Sequence, residues 1–149
     1  MTLLADPMPQ TKSDLLAQKS LVEEYLRARP RHLSSFSFVY IFLWSDFFDF
    51  QFKTIDHNLC ILAGNPVGCF LYLPPLGERI SPRAVADCFE LMKHENKGSA
   101  VTRIENVGQE DRNLFPEKEF SFFQKSDEYV YFRKDIVGLK GNVLKSKRS

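Results

Sequence analysis

From residue 13 onward, apolar and polar positions alternate with helical spacing. In DLLAQKSLVEEYLRAR, Leu15, Leu16, Leu21, Val22 and Leu26 fall on one stripe. Ser13 offers an N-cap hydroxyl and Pro30 is a stop, so the pattern predicts a single helix over 13–28. In the next stretch, HLSSFSFVYIFLWSDFFDFQF, the residues Phe36, Tyr40, Leu43, Trp44 and Phe47 again recur at helical spacing. β-Branched and aromatic content argues for strand there, but Ser34 or Ser35 can cap a short helix over 35–46, with its aromatic residues packed in the core.

The period then changes to two. Phe50, Phe52 and Thr54 alternate with Gln51 and Lys53, which predicts a strand. Asp56-His57-Asn58 makes a turn into a second strand over 59–62, and Ala63-Gly64-Asn65-Pro66 makes another. Pro66 has no N–H for a ladder, so a four-residue loop is expected. Pairing Leu62 with Val67 then sets Cys60 opposite Cys69 across the hairpin. A disulfide is geometrically allowed between them; in a reducing compartment two half-buried thiols are expected instead.

A third strand over 69–73 runs into Pro74-Pro75-Leu76-Gly77. Ser81-Pro82 opens a helix, with Ser as N-cap and Pro at the first helical position. Val85, Ala86, Cys88, Phe89 and Met92 form its apolar stripe, and Gly98 follows its end. Beyond it come a short strand over 100–104, an irregular stretch with one helical turn over 109–114, strands over 120–124 and 129–132, and a helix or turn over 135–139. The order is that of an α+β domain with a largely antiparallel sheet. The expected division is a leader over 1–10, one domain over 11–140 and a basic tail over 141–149.

With 149 residues, 44% of them hydrophobic, the chain suits one domain with its own core. A net charge of +1 excludes an overall field that would draw it to nucleic acid or membrane. The charge is uneven, however: from Arg133 onward six basic residues face one acid. The three cysteines form no C-x-x-C, the start carries no signal-peptide pattern, and FVYIFLW is far shorter than the roughly 20 residues of a membrane span. A cytoplasmic protein is expected.

Chemistry-bearing motifs are sparse. His32, His57 and His94 stand apart with no ligand spacing, and read as surface or turn residues rather than a metal site. The chain has no G-x-S-x-G, P-loop or G-x-G-x-x-G. Cys88 reads as a core thiol, and Asp46 and Asp49 as solvated groups at a helix end rather than a catalytic pair. The 14 phenylalanines suggest base stacking only where Lys and Arg interleave with them, and 35–52 has neither. No catalytic set can be assigned. In GLKGNVLKSKRS, Lys145, Lys147 and Arg148 could hold RNA or phosphate, against a solvated, frayed terminus.

Four stretches in order resemble one family. SFSFVYIFLW after the first helix is similar to the "tF-N-l-iW" opening of the phosphatidylglycerol lysyltransferase C-terminal-like domains. Leu73-Pro74-Pro75-Leu76-Gly77 resembles their "pPiG", Asp127-Glu128-Tyr129-Val130-Tyr131 their "DYVY", and Leu139-Lys140-Gly141 with Lys147-Arg148 their "L-G-k…KR". The resemblance runs from about residue 10 to 149. It implies the first half of a tandem of two GNAT-like units, each built around a mixed sheet. It also implies aminoacyl or acyl transfer, from aminoacyl-tRNA or acyl-CoA, with the pocket in the second half and Lys147-Arg148 at the start of the linking helix. The Gln/Arg-x-x-Gly-x-Gly/Ala cradle for acyl-CoA has no counterpart here. The expectation is therefore a transferase-like half that is inactive alone, with a complementary half and tRNA as partners. The alternatives are a stand-alone RNA- or phosphate-binding module acting through the tail, and a structural remnant without ligand.

Overall fold

The computed structural model describes residues 11–97, 101–129 and 133–138. The chain begins with two helices where the pattern predicted one: α1 (Lys12–Ala17) and α2 (Lys19–Ala28), which meet at Gln18. The cap is Thr11 rather than Ser13. Its hydroxyl accepts from the Asp14 amide at 3.1 Å, while Asp14 Oδ2 accepts from the Thr11 amide at 3.0 Å. This reciprocal pair fixes the start two residues early and leaves Ser13 inside the helix.

Helix α3 (Phe38–Trp44) is shorter than the predicted 35–46. Ser37 caps it, its hydroxyl accepting from the Tyr40 amide at 3.2 Å. Ser34 is engaged elsewhere: its amide and hydroxyl donate to the Glu128 carboxylate at 2.7 and 2.9 Å.

Three strands follow, β1 (Asp49–Ile55), β2 (Asn58–Asn65) and β3 (Gly68–Leu71), paired antiparallel in the order β1-β2-β3. The β1–β2 turn is the one expected, with Asp56 and His57 at φ 45° and 62°. The β2–β3 turn is not. Asn65 pairs with Gly68, so the loop is the two residues Pro66-Val67. The fixed φ of proline suits the second position of a tight turn, where no ladder N–H is required. Asn65 Oδ1 closes the turn by accepting from the Val67 and Gly68 amides at 2.9 and 3.2 Å. The register shifts accordingly: Cys69 lies opposite Gly64, and Cys60 lies opposite Lys53 on the other side of β2. The expected facing of Cys60 and Cys69 is overturned, and all three cysteines are free.

Helix α4 (Pro82–Glu95) starts where Ser81-Pro82 placed it, the Ser81 hydroxyl accepting from the Ala84 amide. Its buried face is Ala84, Val85, Cys88 and Met92, and Ala86 points outward. Beyond α4 the chain returns beside β3 and pairs in parallel at a single bridge, Leu71 with Ile104. Of the strand expected over 100–104, this bridge is what forms; Ala100 and Gly98 lie outside the described residues. The helical turn over 109–114 is present as η1 (Gln109–Leu114).

The strand expected over 120–124 does not form. Phe120 instead meets Phe89 and Phe115 edge-on, with centroids 5.7 and 5.4 Å apart, and Arg112 stacks on Phe122 at 4.8 Å. These rings find apolar or cationic neighbours without a ladder, so alternation alone misleads. Tyr129 is exposed and in no strand, and 130–132 lie outside the described residues. A short helix, α5 (Arg133–Val137), begins two residues before the helix or turn predicted over 135–139, and 139 lies outside the described residues.

The core lies on both faces of the sheet: six successive residues of β2, 58–63, are buried, and both α2 and α4 contact that strand. The architecture is α+β, as the pattern predicted, with a three-stranded antiparallel sheet and one parallel bridge. No helix among the described residues is long and apolar enough to cross a membrane.

Candidate functional site

Two features frame the region where a ligand or partner could bind: the start of α4 and the outer side of α3. At the start of α4 a cavity of about 410 Å³ opens between α2, the β1–β2 turn and the strap before α4. Its floor is organised by Asn58, buried in the first position of β2. Asn58 Nδ2 donates to the carbonyls of Leu76 and Arg79 at 3.1 and 2.7 Å, and its Oδ1 accepts from the Ser81 amide at 2.9 Å. Gly77 is required beside it, because a Cβ there would come within 2.7 Å of Asn58 Nδ2. The Leu76 amide also bonds the Leu59 carbonyl at 2.9 Å, so the Leu73–Gly77 strap is stitched to β2.

This geometry bears on anion binding. A helix start binds phosphate through free amides and a favourable dipole. Here Pro74, Pro75 and Pro82 have no N–H. The amides of Leu76, Ser81 and Ala84 are already engaged within the chain. The Asp56 carboxylate lies against the Ser81 hydroxyl, and Glu24, Glu78 and the cationic Arg79 also line the cavity. The site is built to hold the strap.

The outer side of α3 is a different surface. The aromatic segment was expected to be core throughout, and the structure divides it. Phe38, Ile41 and Phe50 are buried, with Phe42 and Phe48 packed against them. Val39, Leu43 and Phe47 are 64%, 60% and 68% exposed, and Trp44 is 41% exposed, flanked by Phe47 and Phe48 at 5.5 and 6.0 Å. Helical spacing placed apolar residues on both faces, and a seven-residue helix lying on a small sheet can bury one of them. The outer face thus exposes apolar side chains at helical spacing, and Asp46, just beyond the helix, pairs with Lys12 at 2.8 Å.

Asp46 therefore serves as an ion-pair partner at the helix end, and Asp49 begins β1 on the surface. Among the described residues no group of His, Cys, Asp and Glu is placed to hold a metal. His32, His57 and His94 are exposed and separate, as their spacing implied. Lys145, Lys147 and Arg148 lie outside the described residues.

Two charged clusters were not visible in the sequence. Asp111 is fully buried on η1 and is gripped by Arg29, bonded to its Oδ1, and by Arg31, whose Nε and Nη2 donate at 2.7 and 2.8 Å. Nothing in the sequence around η1 signalled that its carboxylate would turn inward. The second cluster is Glu105. Burial would raise its pKa, but hydrogen bonds from Lys125 at 2.7 Å and Arg103 at 2.8 Å outweigh that and hold it below the usual range.

Asn96, at the end of α4, makes the link to the sheet. Its Oδ1 accepts from the Cys69 amide at 2.6 Å, and its Nδ2 donates to the Cys69 carbonyl at 2.7 Å and to Thr102 at 3.0 Å. Gly68 allows this approach, since a Cβ there would lie 2.8 Å from Asn96 Oδ1 and 2.6 Å from Val101 Cγ2. Burial pushes the neighbouring Cys69 thiol up to about 11.

Comparison with protein families, with curated proteins and with solved structures finds no match to this chain.

Proposed function

We propose that the chain is the N-terminal half of a cytoplasmic acyl- or aminoacyl-transferase resembling the phosphatidylglycerol lysyltransferase C-terminal-like domains. It is inactive alone, and a complementary GNAT-like half covers the outer face of α3. The observation that carries the reading is that face: Val39, Tyr40, Leu43, Trp44 and Phe47 form an apolar strip of the kind found at domain contacts. Further support comes from the meander, the α4 crossover and the parallel bridge at Ile104, which together make a mixed arrangement. The Leu73–Gly77 strap, one of the four resembling stretches, is also a structural keystone. The donor, aminoacyl-tRNA or acyl-CoA, would be held by the other half, because at the start of α4 Pro82 has no amide hydrogen and the amides of Ser81 and Ala84 are taken.

Trp44 is the sole tryptophan and reports directly on this face. The test begins by sequencing the coding DNA beyond the Ser149 codon and expressing the segment encoded there as a separate polypeptide. Mixing the two should shift Trp44 emission to the blue, displace an apolar dye from α3 and give a complex by size exclusion. Acetyl-CoA should not stabilise the chain alone. If the encoded segment leaves Trp44 unchanged, or acetyl-CoA gives a clear thermal shift without it, the reading fails.

A further inference from the structure

Residues 122–128 form one wall of a polar cavity of about 520 Å³. The opposite wall is the stretch 106–109 with Arg112 of η1. The volume lies in the range of small-molecule sites. The first wall is held by side chains. Every residue of 123–128 is exposed, and among the described residues none of them makes a backbone hydrogen bond. Two contacts fasten the segment to the body. Lys125 Nζ donates to Glu105 Oε2 at 2.7 Å, and the Glu128 carboxylate accepts from the Ser34 amide and hydroxyl at 2.7 and 2.9 Å. Just upstream, Phe122 is half-buried under Arg112 at 4.8 Å, and Arg112 is itself paired with Glu117 at 2.9 Å.

Both fastenings can be released without stranding a buried group. Glu105 keeps Arg103 at 2.6 Å when Lys125 leaves. Lys125, Glu128 and Ser34 are exposed, so water can take the place of each partner. Phe123, the one large apolar side chain in the segment, is 91% exposed and loses no packing. A segment with few buried contacts and no backbone ladder opens at low cost compared with the core. We propose that 123–128 is a flap that lifts from the cavity as a local unit while the core stays folded. The Glu128–Ser34 contact is its main latch, since one carboxylate holds two donors. The Lys125–Glu105 pair is a weaker latch that salt loosens. Closed, the flap walls the cavity off on one side; open, it admits a small polar solute to Gln109 and Arg112.

Val107 is half-buried on the opposite wall, so Val107→Cys puts a thiol behind the flap. Cys60 and Cys88 are fully buried in the core and report opening of the whole domain. The full chain carrying Val107→Cys is treated with N-ethylmaleimide, and labelling is followed site by site by peptide mass spectrometry. Adding Glu128→Ala should speed labelling at position 107 by about tenfold, and adding Lys125→Ala by about threefold. Labelling of Cys60 and Cys88 should not change. Molar sodium chloride should reproduce the Lys125→Ala effect in the parent and add nothing to it in that variant. Equal rates at position 107 in the parent and both variants would overturn the inference. So would matching acceleration at Cys60 and Cys88, because the domain would then be opening as a whole.

Discussion

Helices α3 and α4 each carry seven apolar residues, α3 over seven positions and α4 over fourteen, and they are covered differently. Helix α4 buries Ala84, Val85, Cys88 and Met92 and turns Arg83, Asp87, Glu90 and Lys93 to solvent. Helix α3 buries Phe38 and Ile41 but turns Val39, Tyr40 and Leu43 outward. The hydrophobic effect accounts for the inner side of both. It does not account for the outer side of α3, since an apolar side chain left in water contributes nothing to folding of this chain. A helix with one polar face has one packing partner; a helix apolar on both faces has room for two. This contrast underlies the proposal that a second half docks on α3.

The contrast can be broken or sharpened by substitution. The largest effect is expected away from both helices, at the clasp that holds η1 to the end of α2. Asp111→Ala leaves buried Arg31 with only the more exposed Glu110 carboxylate, 3.6 Å away, and should cost about 3–5 kcal/mol in urea unfolding. A loss below about 1 kcal/mol would mean that water replaces the carboxylate. Within α3, Ile41→Ala should cost about 2–5 kcal/mol, because its side chain is wholly buried. Asn96→Ala should cost about 1–3 kcal/mol by stranding the Cys69 amide and carbonyl, and it should increase hydrogen exchange at β3 and the end of α4. Smallest of all, Leu43→Ser should change stability by less than about 0.5 kcal/mol while weakening any complex with the second half. Equal losses for Ile41→Ala and Leu43→Ser would erase the two-faced description of α3.

Local chemistry was readable from the sequence, and tertiary choices were not. Ser81-Pro82 announced α4, and alternation announced β1, because a cap and a period are properties of a few adjacent residues. The Thr11–Asp14 capping box was equally local and competed with Ser13 for the same role. The β2–β3 register failed on one assumption, that Pro66 excludes a tight turn, and a shift of that loop moved every cross-strand pair. Which face of α3 is covered could not be read at all, since both faces are apolar and the answer depends on how much sheet is available. The partners of Asp111 likewise exist only once distant segments have packed. Cys88 was legible as a core residue.

The Arg31–Asp111 contact also has a meaning in time. It joins residues 80 apart, whereas the β1–β2–β3 meander joins neighbours. Loop closure favours the meander first. During synthesis the N-terminal helices and the hairpins can gather as soon as they leave the ribosome, while Arg29 and Arg31 wait with their charges in water. A late act of assembly falls to a carboxylate made some eighty codons later, so a nascent chain stalled before Asp111 should hold a sheet and still lack this seal.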